Sequence, residues 1–166
     1  MPTGCIWDKL LSKNKIHIGS IVLRTEVHYY IDNEGKRKKI DLLPQLGAGK
    51  ITELSASLAE QRVLRQRFDR VLGPKLGLGE IESLVIVQKT PDLTFCTFDD
   101  AAITALVLLD MGNRGISFET ILKQCGLSRR LERKHSEERF KRIVKRAHLM
   151  RVMQQGLRLP RSQRRK

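Results

Sequence analysis

The stretch LGLGEIESLVIVQKTPDLTFCTFDD, residues 76–100, decides the fold. Glu80 and Glu82 follow Gly77 and Gly79 and open an apolar run, Leu84-Val85-Ile86-Val87, which reads as a helix over 80–89 with Glu80 in its first turn. Thr90-Pro91 ends that helix, because the residue before proline is pushed out of helical geometry. Residues 93–97 are short and rich in strand formers, and read as a strand. Asp99-Asp100 falls where that strand hands over to a second helix, over 100–110, whose Ala-Ala-Ile-Thr-Ala-Leu-Val-Leu-Leu run predicts burial on most sides. In parallel α/β sheets, ligands bind at the carboxyl ends of strands. Carboxylates gathered at such an edge suit a hard divalent cation. The same residues also have plain structural uses: glutamates are favoured in a helix's first turn, and aspartate is a strong N-cap.

Working outward, 6–11 reads as a short helix and 16–18 as a strand. Ser20 reads as the N-cap of a helix over 21–31. Residues 38–43 read as a strand closed by Pro44, and 53–72 as one helix stopped by Gly73-Pro74. Downstream, 115–116 reads as a short strand, Ser117 caps a helix ending at Gln124, and Gly126 occupies the C′ position. Ser136 caps a long helix to about 155 whose apolar face is Phe140, Ile143, Val144, Ala147 and Met150. Strands alternating with helices predict an α/β fold with a mainly parallel sheet.

The pattern LGLGE-x-E-x-LVIV, a strand, then TFDDAAITAL resembles the PIN domain family, which includes the toxin nucleases of bacterial toxin–antitoxin pairs. Asp99-Asp100-Ala101-Ala102 matches that family's strand-to-helix turn. IGSIVLRTEV, residues 18–27, resembles its short strand followed by a helix with an acidic residue, here Glu26. The likeness covers about 6–127. It implies a PIN-like three-layer fold over 1–127; beyond it, the residues themselves read as a basic helical extension over 128–156 and a disordered basic tail over 157–166. The likeness also implies a Mg²⁺- or Mn²⁺-dependent endoribonuclease. Glu26, Glu80 and Asp99 would be its catalytic ligands, Asp100 would stand beside them at the metal, and an antitoxin protein would be a partner. The chemistry is the metal's: it binds the scissile phosphate, activates a water and stabilises the leaving oxygen. The family opens with an apolar-apolar-Asp strand, whereas Met1-Pro2-Thr3-Gly4 leads straight into CIWDKLL. The expectation is therefore either a domain lacking its N-terminal strand or an incomplete, inactive site. The alternative is a non-catalytic module that binds RNA or a partner protein through its basic C-terminal region.

Charge separates these readings from composition alone. The net charge is +14, but 128–166 carries 15 Lys and Arg against 3 acids, while the rest of the chain carries 17 against 15. Such one-sidedness points to a polyanion, bound through phosphates in a salt-sensitive manner. Phe140 is the only aromatic residue in that quarter, and it belongs to the apolar face, so base stacking is not expected there. No apolar run is long enough for a membrane span and no signal-peptide pattern opens the chain, so a cytoplasmic protein without membrane contact is expected. Cys5, Cys96 and Cys125 form no C-x-x-C pair and are expected to be thiols rather than zinc ligands. The four histidines show no ligand spacing.

Overall fold

The structure, a computed structural model, describes residues 4–26, 29–31, 34–127 and 130–158. The chain forms two compact units, Met1–Ser55 and Ala56–Lys166. Among the described residues no helix is long and apolar enough to cross a membrane. The class is mixed α/β, as expected. The described strands form three two-stranded sheets, two of them parallel.

The first unit opens with α1 (Gly4–Lys13), followed by β1 (Ile16–Gly19) and α2 (Ser20–Thr25). It continues with an antiparallel pair, β2 (Tyr29–Ile31) and β3 (Arg37–Lys39), and then α3 (Leu43–Gly47) and β4 (Ile51–Leu54). β1 and β4 run parallel, Ile16 opposite Ile51 through Gly19 opposite Leu54. Two sequence expectations fail here. The helix foreseen over 21–31 ends at Thr25, because Tyr29-Tyr30-Ile31 are strand formers with a partner strand to pair with. Ser20 is that helix's first residue, and its hydroxyl donates to the Leu54 carbonyl at 3.2 Å instead of capping. The helix foreseen over 53–72 begins only at Leu58, because Ile51–Leu54 is taken up by the parallel ladder.

The second unit opens with α4 (Leu58–Gln66), started by a capping box in which the Ser57 hydroxyl and the Glu60 carboxylate each satisfy the other's backbone amide. Next come α5 (Leu78–Lys89), β5 (Phe95–Cys96), α6 (Asp100–Leu108), β6 (Gly115–Ile116), α7 (Phe118–Gln124) and α8 (Glu137–Val152). β5 and β6 are parallel and joined through α6. α5 and α6 are apolar nearly all round and are buried nearly all round; Ile81, Leu84, Ala102 and Ala105 have no exposed surface. Arg114 holds the loop ahead of β5, its guanidinium donating to the carbonyls of Leu93 and Thr90.

α8 packs on α6 in the most extensive helix pairing among the described residues. Phe140, Ile143 and Ala147 are the buried stripe, and Ile103 meets the first two. Burying large side chains of this kind stabilises by about 1.5–3 kcal/mol each. The stripe fixes α8 tightly: a β-carbon at Gly115 would stand 2.7 Å from the Phe140 ring and 2.9 Å from Leu106, so only glycine fits under that ring. α8, which lies within the expected extension, is thus packed into the core of the second unit. The chain then turns back through Gly156, at φ +86. Asp69 binds the Gly156 amide at 3.0 Å, and Leu157 bridges Phe68. Arg158 donates to the Arg67 and Phe68 carbonyls at 2.8 and 2.9 Å. Leu157 and Arg158 are therefore anchored; the rest of the expected tail, 159–166, lies outside the described residues.

Candidate functional site

The four carboxylates singled out by the sequence are placed as follows. Glu26 ends α2 in the first unit and is exposed. Glu80, Asp99 and Asp100 belong to the second. Glu80 stands in the first turn of α5, its carboxylate folded back into the space a side chain at Gly77 would fill. Asp99 is the N-cap of α6: its carboxylate accepts the Ala102 amide at 2.8 Å, and its own amide donates to the Thr97 hydroxyl at 3.2 Å. Asp100 is ion-paired with Arg139 of α8. Glu82, which the sequence placed beside Glu80, is 2% exposed and accepts the Ala56 amide at 3.5 Å.

These commitments bear on whether the acids fit a divalent ion. A Mg²⁺ or Mn²⁺ site needs several oxygens converging on one point. Asp99 uses an oxygen to cap a helix and Asp100 neutralises an arginine. Among the described residues no three of His, Cys, Asp and Glu form a group able to hold a metal. As arranged, the donor set does not fit the ion that the sequence resemblance implies.

What the fold does assemble is basic. Ser136 caps α8, accepting the Arg139 amide at 3.3 Å while donating to the Arg133 carbonyl at 2.7 Å. Glu137 ties the same helix end to α7, accepting the hydroxyls of Ser117 at 2.5 Å and Thr120 at 2.7 Å. Burial pushes the Glu137 carboxyl up, but those hydroxyls and Lys141 outweigh it and hold it below the ordinary glutamate value. With the apolar stripe spent on α6, Lys141, Arg142, Lys145 and Arg146 stand exposed on the opposite side. The 3₁₀ turn Arg133–His135 precedes the helix. Between turn and helix lies a hollow of about 440 Å³, where Arg133, Lys134, Arg139, Arg142 and Arg146 face a single carboxylate, Asp100. Among the described residues Arg133 and Arg146 make no ion pair, and Arg142 has only a 3.8 Å contact with exposed Glu138.

Next to the hollow stands an aromatic cluster. Phe98 meets His135 edge-on with centroids 4.4 Å apart, and Phe118 closes the triangle at 5.9 and 6.1 Å. Phe98 is 44% exposed. Arg139 joins cluster to hollow, donating to the carbonyls of Phe98 at 3.1 Å and Lys134 at 3.0 Å while paired with Asp100. Desolvation, and then the neighbouring Lys134, lower the His135 pKa, so the ring is neutral near pH 7. Phe98 and Phe118 precede the basic quarter in the chain, and no local pattern announced them as part of this surface. Along another side of α8 runs an apolar hollow of about 480 Å³ containing Val144, Leu149 and Val152. Compared with protein-family models, curated proteins and solved structures, the chain has no significant match in any of the three.

Proposed function

We propose that the chain is a non-catalytic RNA-binding module whose contact surface is the basic side of α8. The observation that carries this reading is the division of labour on one helix. Phe140, Ile143 and Ala147 are consumed by packing on α6, which holds Lys141, Arg142, Lys145 and Arg146 outward on a rigid support. A solvated helix face ordinarily intersperses both signs. Here the acids, Glu137 and Glu138, are confined to the first turn, where they serve the helix dipole. RNA is preferred to an acidic protein because an exposed aromatic ring, Phe98, stands beside the cations of the hollow. The finer fold belongs to the same proposal: a PIN-type arrangement, supported by the parallel β5–β6 pair and by Asp99 at the strand-to-helix turn. So does action in the cytoplasm.

The test is a salt titration of binding to a fluorescent single-stranded RNA. Affinity should fall with salt, and converting Lys141, Arg142, Lys145 and Arg146 together to Gln should flatten the log–log slope by up to about 2.8, at ~0.7 for each phosphate no longer neutralised. No binding at low salt, or a slope that the quadruple variant leaves unchanged, overturns the proposal.

A further inference from the structure

We propose that the arginine hollow and Phe98 form one subsite for a nucleotide of single-stranded RNA, with a phosphate in the hollow and the base stacked on Phe98. This rests on the RNA-binding reading and adds where, and in what form, the strand is held. Three observations carry it. The first is chemical: the lining carries five cations and one acid, and with Glu132 on Lys134 and Glu138 near Arg142 counted as well the concavity still has a net positive charge. The second is availability. Arg139 is already committed to Asp100 and two carbonyls, so it is a positioning residue that fixes the Phe98 backbone to α8. Arg133, Arg142 and Arg146 are left to contact a ligand. The third is the aromatic ring. A phenylalanine 44% exposed wastes apolar surface, yet Phe98 is kept there by edge contacts with His135 and Phe118. The surface that Phe98 keeps open to solvent beside these contacts is what a base would stack on.

A stacking ring beside a phosphate site is the recurring design of single-strand binders. In duplex RNA the bases are stacked on one another and cannot reach such a ring. The subsite therefore selects single strands and gives little sequence preference, since every base has a π-face.

Four proteins are titrated with a ten-nucleotide single-stranded RNA and with duplex RNA: the parent chain, Phe98→Ala, Phe98→Leu, and the double variant Arg133→Ala/Arg146→Ala. Phe98→Ala should weaken single-strand binding about tenfold or more while leaving its salt slope unchanged, because no charge is removed. The arginine pair should flatten the slope by about 1.4. Duplex affinity should respond to the arginines and not to Phe98. Phe98→Leu, which keeps apolar packing on His135, should reproduce the Phe98→Ala loss and serves if the alanine variant misfolds. If the parent binds no RNA, the underlying reading fails. If the parent binds but both Phe98 variants bind single strands as it does, RNA binding stands and this subsite is wrong.

Discussion

Asp99 is where a structural and a catalytic role give opposite mutational signatures. Its carboxylate accepts one hydrogen bond, from the Ala102 amide at 2.8 Å, at the start of a helix buried almost throughout. Asn caps a helix about as well as Asp, whereas Ala does not cap at all. Asp99→Ala should therefore cost about 1 kcal/mol, a fall in Tm of roughly 4 °C for a domain of this size. Asp99→Asn keeps the cap and loses only the interaction of its charge with the helix dipole. That interaction is worth about 0.3–1 kcal/mol at low salt and is screened as salt is raised. In moderate salt the order is parent close to Asn, both above Ala. A metal ligand behaves differently. An ion bound at ~100 times its Kd would add about 2.7 kcal/mol to the parent's stability, and Asn, having lost the charge, would forfeit most of it. The assay is thermal unfolding followed by helical circular dichroism, with and without excess Mg²⁺ or Mn²⁺. The expected result is no metal-dependent shift in any of the three proteins. A Tm raised by metal in the parent and not in Asp99→Asn would refute the capping argument and restore the metal centre. An Asn variant as unstable as Ala would show that capping is not what Asp99 contributes.

Ending the chain at Gly156 rather than at Arg158 should lower stability by roughly 2–3 kcal/mol, since the Arg158 amide and guanidinium bonds and the Leu157 bridge to Phe68 disappear together, at about 1 kcal/mol each. Equal melting of the two truncations would show that the docking of 157–158 is not structural. The His135 pKa lies below its ordinary value of 6.5, through burial first and then Lys134 and Arg139, with Glu132 opposing. Above that ordinary value both folded and unfolded chains hold the ring neutral. As pH falls below it, the unfolded chain takes up the proton first, so stability is lost until the lowered folded pKa is passed. His17 in the first unit shifts the same way, so the measurement is the difference between parent and His135→Gln over pH 7 to 5. That difference should shrink on acidification, and a difference independent of pH would contradict the shift.

Much of the second unit could be read residue by residue. The starts of α6, α7 and α8 follow from Asp99, Ser117 and Ser136, because a side-chain oxygen that caps an amide two or three residues on is a local event. The left-handed C′ position at Gly126 is local in the same sense. The burial of α5 and α6 follows from their being apolar all round. The first unit was less readable. Ile51–Leu54 and Tyr29–Ile31 satisfy helix and strand patterns alike, and only the partner strand, absent from any local window, decides between them.

The acids show the same divide. Sequence placed Asp99 at a strand-to-helix turn and Glu80 in a first turn, and both are there. It could not say that Asp100 faces Arg139, thirty-nine residues on, because which charges pair is set by the packing of α8 on α6. The concentration of basic charge after residue 128 is a property of composition and needs no fold. Its shape as a hollow, and the arrival of Phe98 and Phe118 beside His135, come from burial of the Phe140 stripe against α6 and β6. Periodicity along the chain thus determined which face of α8 is apolar and which is charged. The tertiary fold decided what lies next to the charged face, since apolar burial brings together residues that no spacing in the sequence connects.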